Sequence, residues 1–254
     1  MITHMEFGIS SSLNQNKMLI LLTGCINPRG MTLTKLQDPK VRMQQYLDSI
    51  TYYLSSYDLK VLFVENSNVD ITPYLPESIN KSRLEILTFD GNNFNKSLGK
   101  GYGEMAILRH ALAHSTFLAA HPFVFKITGR HKVLNLQSII NQFLRQRDID
   151  LLADLRDMTK YVDSRCWGAT TNFIDRVFMK YMDQVNDDIG INFEHVLAKA
   201  LHEAVINGYK FEQMKNLARL SGSSGTQNTK FNDSWIYWFP RDIAHQIKYI
   251  LNKR

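Results

Sequence analysis

The feature that most constrains the fold is the alternation of short apolar runs with longer segments of helical periodicity. Four such runs lie in the first half of the chain, at Met18–Thr23, Lys60–Glu65, Leu84–Phe89 and Phe123–Thr128. Continuous apolar runs of this length are typical of strands buried on both faces of a parallel sheet. Because parallel strands need crossover connections, usually helices, the sequence predicts an α/β domain: a mostly parallel sheet flanked by helices.

The segments between these runs carry helix signals. Asp38 followed by Pro39 is typical of an N-cap and a first helical turn, and apolar residues then recur with helical spacing through Leu54. The glycine-rich stretch Gly99–Gly103 is expected to open a helix that runs to about Leu118.

The second half of the chain is less regular. We expect a short strand at Asp150–Asp154, an antiparallel strand within Val162–Thr171, and helices over Phe173–Val185 and Phe193–Val205. A serine- and glycine-rich loop follows at Ser221–Gly225. No internal repeat or long linker is visible, so residues 17–254 are interpreted as a single domain.

Composition narrows the class of protein. The opening segment, residues 1–16, is polar, lacks a signal-peptide core and is expected to be a disordered leader. No apolar run approaches the roughly 20 residues needed to cross a bilayer. The two cysteines, Cys25 and Cys166, form no Cys-x-x-Cys pair, which disfavours structural zinc and fits a reducing cytoplasm. A net charge of +6 indicates an anionic partner: a nucleotide, a nucleic acid or a membrane surface.

The end of the fourth run is the strongest candidate for a binding site. Ligands of open α/β sheets bind at the carboxyl ends of the strands, and this run ends in Thr128, Gly129 and Arg130. Glycine allows a close backbone approach, Arg130 can fork onto two phosphate oxygens, and Lys126 can add a point charge. The alternative is a strand that ends in a turn with solvated charges.

Other strand ends and loops supply further candidates. Residues after the first two strands are expected to contact a phosphate, a base or a ribose hydroxyl, and the nest-like serine loop suits a diphosphate. The glycine-rich helix start at Gly99–Gly103 contributes Lys100, although its sequence is not that of a Walker loop. The alternatives are ordinary surface arginines, a plain helix start and a surface linker. The candidates are Thr23, Gly24, Arg29, Arg42, Glu65, Asn66, Lys100, Ser221, Ser223 and Ser224.

Several segments together resemble the small glycosyltransferases of bacterial capsule and O-antigen gene clusters. The resemblance covers Met18 to about Phe231 and rests on the order and spacing of the segments. It implies a GT-A-like fold, a nucleotide-sugar donor and a glycan or lipid-linked acceptor. The donor half would be about 17–133, the acceptor half about 134–232, and the C-terminal helix 233–254. The segments are Leu22–Pro28, Asp38–Leu47, Val64–Ser67, Gly99–Glu104, Phe125–Arg130 and Leu220–Gly225.

The chain departs from this family at one position. Most such enzymes carry an Asp-x-Asp that holds a divalent metal at the diphosphate, but here the corresponding strand ends in Thr128-Gly129-Arg130. Basic side chains can neutralise a leaving diphosphate directly. We therefore predict a metal-independent enzyme without a cofactor, since the nucleotide-sugar is a substrate. Asp154 and Asp157 are the alternative metal ligands.

A base that takes the acceptor's proton is needed if configuration is inverted. Asp163 and Glu194 are the two candidates, and Arg165 and Trp167 are expected to contact the acceptor, with the indole stacked on a sugar. The alternative for Glu194 is a favourable charge at a helix N-terminus. A retaining reaction would need neither base.

Two other function classes remain open. Nucleic-acid binding fits the basic charge, but the basic residues are scattered and no recognised nucleic-acid motif is present. A methyltransferase or another Rossmann-like enzyme is the alternative, although no Gly-x-Gly-x-x-Gly follows the first strand.

The aromatic and basic tail has two interpretations. Its aromatics (Trp235–Phe239) and basic residues (Arg241, Lys248, Lys253, Arg254) suit an anionic membrane surface, which would place the protein at the inner face of the membrane. The favoured alternative is that residues 243–251 pack a final helix onto the core.

Overall fold

A seven-stranded sheet forms the centre of the computed structural model, which describes residues 17–32, 34–146, 148–224 and 229–252. The predicted disordered leader, residues 1–16, lies outside the described residues. So do Lys253 and Arg254, and Gly225 of the serine- and glycine-rich loop.

The four apolar runs are confirmed as strands: β1 (Met18–Gly24), β2 (Lys60–Glu65), β3 (Leu84–Thr88) and β4 (Phe123–Thr128). They lie parallel in the order β3-β2-β1-β4, with Leu21 of β1 opposite Leu62 of β2. All residues of β1 are buried, as expected for a strand covered on both faces.

The remaining strands extend and flank this sheet. The other strands are β5 (Lys132–Val133), β6 (Leu151–Ala153), β7 (Leu155–Arg156), β8 (Tyr161–Val162), β9 (Cys166–Thr170), β10 (Phe211–Gln213) and β11 (Leu220–Ser221). Strand β9 lies antiparallel between β4 and β6, which confirms the predicted antiparallel strand, and β10 lies at the edge beside β6. Two small antiparallel pairs, β5 with β11 and β7 with β8, lie at the carboxyl end of the large sheet.

Seven α-helices are assigned in the described residues: α1 (Pro39–Ser56), α2 (Gly99–His114), α3 (Thr116–Ala120), α4 (Leu136–Arg145), α5 (Thr171–Arg176), α6 (Phe193–Ile206) and α7 (Trp235–Asn252). Asp38 is confirmed as the N-cap of α1, since its Oδ1 accepts from the Lys40 backbone N–H at 2.8 Å.

Two predicted helices are shorter than expected. The helix that starts at Gly99 ends at His114 because Ser115 is extended, and the Ser115 hydroxyl caps α3 by accepting from the Leu118 N–H. The single helix expected over Phe173–Val185 is wrong: α5 ends at Arg176 and a 3-10 stretch, Phe178–Gln184, follows.

Helices cover both faces of the sheet and bury two apolar cores. Alternate residues of β1 serve different cores, because successive side chains of a strand point to opposite faces. Leu19 and Leu21 pack in the core with α2 and α6, whereas Ile20 and Leu22 pack in the core with α1 and α4. The predicted class, a single α/β domain with a mostly parallel sheet flanked by helices, is confirmed.

The C-terminal helix docks differently from the favoured interpretation. Its polar side faces the domain: the Asp242 carboxylate accepts from the Leu217 N–H at 2.7 Å, and Trp238 donates to the Leu217 carbonyl. Ile243, Ile247 and Ile250 are each about half exposed, so the expectation that they pack onto the core is wrong. Within the described residues, no helix is long and apolar enough to cross a bilayer.

One buried carboxylate ties the loops at the carboxyl edge of the sheet. Glu65 is fully buried and accepts from the backbone N–H groups of Ile26 (2.8 Å), Ser67 (2.9 Å) and Val69 (2.9 Å). The loop after β1 and the loop after β2 are therefore held by the same side chain. The expected contact of Glu65 with a ribose or base is corrected, because its oxygens are occupied by the protein itself.

Glu65→Gln is expected to lower the free energy of unfolding by about 2–3 kcal/mol, since an amide nitrogen would face backbone N–H donors in place of an acceptor. Urea denaturation followed by circular dichroism measures this. Glu77→Gln, at an exposed position, is the matched control and should change stability by less than about 0.5 kcal/mol. Equal stability of the two variants would show that the Glu65 contacts contribute nothing.

Candidate active site

A cleft of about 450 Å³ opens at the carboxyl edge of the sheet, where β1, β2 and β4 end. Its walls are these strand ends, one face of α2, the start of α6 and the loop after β11. Of the residues expected from sequence to bind a ligand, the structure brings these to the cleft: Thr23, Gly24, Arg42, Asn66, Lys100, Thr128, Arg130, Arg165, Glu194 and Ser224.

The strand register brings the first and fourth strand ends together. Thr23 lies directly opposite Thr128, and the Gly129 N–H donates to the Thr23 carbonyl at 2.9 Å. A Cβ on Gly129 would lie 2.6 Å from that carbonyl oxygen. Gly129 is therefore required for the close approach of β1 and β4, rather than for the approach of a ligand.

Arg130 places a buried positive charge in the cleft. Its Nη1 donates to Gln45 at 3.0 Å and to the Ser223 carbonyl at 3.3 Å. Burial lowers the pKa of this guanidinium from its ordinary value, but arginine stays charged in proteins. Within the described residues, no carboxylate lies within 4 Å of it. An anionic ligand would compensate this charge.

Lys126, expected to bind phosphate, lies beneath the cleft instead. It is fully buried, forms an ion pair with Glu104, and donates to the Ser164 carbonyl at 2.8 Å. Glu104 also accepts from the Thr23 hydroxyl at 3.0 Å. The expectation is corrected: a buried ammonium must be paired within the protein, and here it neutralises the one carboxylate that α2 contributes to the cleft.

Helix α2 presents one face to the cleft. Lys100, Gly103, Glu104 and Ile107 follow the i, i+3, i+4, i+7 spacing of a helix face. A Cβ on Gly103 would lie 3.2 Å from the Asn66 side-chain nitrogen, so glycine permits the close packing of α2 on the loop after β2. The Asn66 Nδ2 donates to the Gly103 carbonyl at 3.3 Å.

Two buried acceptors in the cleft wall lack partners among the described residues: Asn66 Oδ1 and His131 Nδ1. The His131 ring lies with Nε2 3.3 Å from the Ser223 carbonyl, so Nε2 carries the proton and Nδ1 is an acceptor. Burial, and then the charges of Arg130 and Arg165, lower the pKa of His131 to about 3. Because both atoms are buried from solvent, they belong to the interior of the wall rather than to the surface that a ligand can contact.

The two candidate bases occupy different environments. Glu194 lines the cleft at the start of α6, where Oε1 accepts from the Ser164 hydroxyl at 2.7 Å. It lies near Tyr161, whose pKa is raised to about 12 by burial and by the charges of Glu194 and Asp163.

Asp163 is buried outside the lining of that cleft. It forms ion pairs with Arg156 at 2.9 Å and with Arg165 at 2.5 Å. Burial raises the pKa of the Asp163 carboxyl, but the hydrogen bonds and charges of the two arginines outweigh burial and lower it overall. A carboxylate so strongly stabilised as the anion is a poor proton acceptor.

Several expected ligand contacts are structural or lie elsewhere. Trp167 is fully buried and packs edge-on against Phe178, so its expected stacking on an acceptor sugar is corrected. Arg42 lines the cleft, but its guanidinium donates to the Cys25 carbonyl at 2.7 Å and holds the loop after β1. Arg29 forms an ion pair with Asp90 at 3.0 Å, away from the cleft.

The serine loop contributes less than expected from its sequence. Ser221 pairs with Lys132 in the β5–β11 ladder, and the Ser223 carbonyl accepts from Arg130. Ser224 is the member of the three that lines the cleft, and its N–H donates to the Thr229 carbonyl at 2.9 Å. The loop thus covers Arg130 and His131 from above.

The two alternative metal ligands, Asp154 and Asp157, lie outside the lining of the cleft. In the described part of the chain, no group of three or more His, Cys, Asp or Glu side chains is placed to hold a metal. The alternative ligand Asp154 accepts from Arg156 at 2.6 Å and from Gln213 at 3.0 Å, and Asp157 lies on a separate loop outside the cleft.

Sequence reasoning missed several lining residues: Cys25, Tyr46, Asn92, His131, Tyr161, Ser164 and Phe231. His131 could have been found, because it directly follows the strand end at Arg130. Tyr161 lies in the two-residue strand β8 and Phe231 lies in a loop, and neither position carries a sequence signal that places it at the cleft.

Comparison with known proteins gives structural matches only. No protein-family model and no curated sequence match the chain. A putative nucleotide-diphospho-sugar transferase from Desulfovibrio desulfuricans matches with TM-score 0.45 and 12% identity, over 92% of this chain and 98% of that one. A 4-diphosphocytidyl-2C-methyl-D-erythritol synthase from Anaerococcus prevotii matches with TM-score 0.44 and 9% identity, over 93% and 98%.

A cytidylyltransferase from Leptospira borgpetersenii matches with TM-score 0.42 and 15% identity, over 78% of this chain and 75% of that one. At identities and TM-scores this low, the likeness carries no argument about activity. The assignment of function therefore depends on the cleft itself.

Proposed function

We propose that this protein is a nucleotide-dependent transferase, and more specifically a glycosyltransferase that moves a sugar from a nucleotide-sugar to a glycan or lipid-linked acceptor in bacterial surface polysaccharide synthesis. The observation that carries the proposal is Arg130, a buried guanidinium without a carboxylate partner in the described residues, at the carboxyl end of a parallel strand. Such strand ends bind the phosphates of nucleotides in open α/β sheets.

The charge balance of the cleft supports this proposal. Its lining includes Arg42, Lys100, Arg130 and Arg165, against the carboxylates of Glu104 and Glu194. Because Lys126 neutralises Glu104 from below, the cleft is net positive. Its volume of about 450 Å³ is within the usual range for small-ligand sites.

The geometry supports a direct transfer. The acceptor hydroxyl attacks the anomeric carbon, a new C–O bond forms, and the bond to the diphosphate oxygen breaks with its electron pair leaving on the diphosphate. Glu194 takes the hydroxyl proton, and Arg130 and Lys100 stabilise the leaving charge. This step inverts configuration; a retaining transfer would leave Glu194 without this task.

The first test is nucleotide binding. UDP, GDP and CDP are titrated by calorimetry with EDTA present, and at least one should bind, because the cations of the cleft replace a metal. Arg130→Ala should weaken that binding at least tenfold, which is about 1.4 kcal/mol. Arg130→Lys should recover it in part, since it keeps the charge but loses the fork.

Arg145→Ala, at an exposed position on α4, is the matched control and should bind as the unchanged protein does. Binding that needs manganese would contradict metal independence. Full affinity in Arg130→Ala would remove Arg130 from the site, and a preference for CTP over CDP would favour nucleotidyl transfer instead.

The second test decides whether Glu194 or Asp163 is the general base. Glu194→Gln should lower kcat at least 100-fold, in the range of general base catalysis, with the nucleoside diphosphate Kd changed less than about threefold. Asp163→Asn should lower the melting temperature, because it leaves Arg165 without its buried partner. It should lower kcat far less than Glu194→Gln does. Undiminished turnover in Glu194→Gln would mean a retaining reaction or another base.

We also propose that α7 contacts an anionic membrane surface. Ile243, Ile247 and Ile250 form an exposed apolar stripe, and Arg241 and Lys248 lie beside it on the same helix. Apolar and cationic side chains together suit the headgroup layer of an anionic leaflet.

Flotation with vesicles tests this contact. The protein should float with phosphatidylserine-containing vesicles and less with phosphatidylcholine alone, and Ile243→Asp/Ile247→Asp should abolish flotation. Ile206→Asp, at an exposed isoleucine of α6, is the matched control. No enrichment on anionic vesicles at low salt would contradict the proposal.

A further inference from the structure

A second cavity, of about 1180 Å³, lies beside the cleft, between the carboxyl ends of β6 and β10 and helix α7. It is larger than the cleft of about 450 Å³, so it can take a more extended molecule. The two candidate bases and the residues expected to bind the nucleotide lie outside its lining, whereas Arg165, which is expected to contact the acceptor, belongs to it.

The two cavities share a wall. Arg165 and Phe231 line both, and the Arg165 guanidinium lies 5.7 Å from the centre of the Phe231 ring. Ser164, the neighbour of Arg165, donates to Glu194 in the cleft. A molecule that fills the second cavity and reaches this wall would therefore present an end beside Glu194.

The second cavity is strongly positive. Arg219, Lys230, Arg241 and Lys248 line it, and in the part of the chain that the structure describes no carboxylate lies within 4 Å of their charged groups. The acidic residues of the lining are Asp154, Asp157 and Glu212. Asp154 forms an ion pair with Arg156, and Glu212 accepts from the Tyr249 hydroxyl at 2.5 Å.

Two of the guanidinium groups in this cavity lie against aromatic rings. The Arg241 guanidinium lies 5.1 Å from the Tyr237 ring centre, and Arg219 lies 6.0 Å from the Trp238 ring centre. Cation–π contacts of this kind hold a guanidinium in place, and the Arg219 Nε–H also donates to the Asp233 carbonyl at 2.9 Å. The cavity thus combines flat apolar faces, which suit sugar rings, with forked donors, which suit phosphate oxygens.

We propose that this cavity binds the acceptor and that the acceptor is an anionic glycan whose phosphate or diphosphate group lies against Arg241 and Lys248. The inference rests on the proposed function, because it names the second substrate of the same transfer. The phosphate would come from a lipid-linked glycan or from a soluble glycosyl phosphate.

Binding is tested without any donor. Glucose 1-phosphate should quench the tryptophan fluorescence saturably, whereas glucose at the same concentration should not. Arg241→Gln/Lys248→Gln should weaken glucose 1-phosphate binding at least tenfold while UDP binding changes less than threefold. Arg176→Gln/Lys180→Gln, which removes two exposed cations away from both cavities, is the matched control.

Arg130→Ala separates the two sites. If it, rather than the Arg241/Lys248 double variant, abolishes glucose 1-phosphate binding, the phosphate lies in the cleft and the proposal is overturned. Equal binding of glucose and glucose 1-phosphate would also overturn it. A loss in Arg130→Ala that is confined to UDP binding is the expected result, because it assigns the nucleotide to the cleft and glucose 1-phosphate to the second cavity. If the unchanged protein binds glucose 1-phosphate but no nucleoside diphosphate, the proposed function fails while the second cavity stands.

A lipid arm distinguishes the two sources of phosphate without using a membrane surface. If glucose 1-phosphate fails but monomeric dihexanoyl phosphatidic acid, below its micelle concentration, binds the unchanged protein and the Ile243→Asp/Ile247→Asp variant but not the Arg241/Lys248 double variant, the proposal holds with a lipid-borne group. If neither soluble probe depends on Arg241 and Lys248, the cavity does not bind an anionic acceptor.

Discussion

The buried ion pair between Lys126 and Glu104 is the interaction on which the site depends. An ammonium this deep in a sheet is tolerated only when it is paired, and its partner comes from α2. The same Glu104 accepts from Thr23 of β1, and Lys126 donates to the Ser164 carbonyl before β9. Two strand ends, a helix and a loop are thereby fixed in one arrangement.

The neutral Lys126–Glu104 ion pair beneath the cleft affects which ligands the cleft can bind. Since Glu104 is compensated from below and Arg165 is paired with Asp163, Arg130 is a buried cation of the lining that has no carboxylate within 4 Å among the described residues. Arg165 also belongs to the second cavity, where it stands beside further cations. A positive surface therefore runs from the strand ends to α7, with Glu194 near the junction. Such a surface fits two anionic substrates that meet at one carboxylate.

Much of the fold could be predicted from the sequence, because continuous apolar runs of six or so residues have few uses other than buried strands. The hydrogen-bond and ion-pair partners of buried polar side chains could not be predicted from the sequence. Lys126 and Glu65 both lie at the ends of apolar strands, where a ligand contact is the ordinary expectation. Whether such a charge points to a ligand or is matched inside the protein depends on distant residues: Glu104 for the first, Ile26 and Val69 for the second.

The orientation of the C-terminal helix α7 also could not be predicted from the sequence. The isoleucines of α7 recur with helical spacing, and that period usually marks the face that packs on the core. Here Asp242 and Trp238 bind the domain through hydrogen bonds, so the apolar stripe faces outward. The periodicity of a sequence shows that a helix is amphipathic. Which face of the helix packs on the domain depends on the groups that the domain surface offers.

The most direct test of the account is a crystal structure with the nucleoside diphosphate that binds best. Phosphate oxygens are expected within roughly 2.7–3.2 Å of the Arg130 guanidinium nitrogens, between the ends of β1 and β4. A nucleotide bound elsewhere, with Arg130 still donating to Gln45 and Ser223 and not to phosphate, would contradict it.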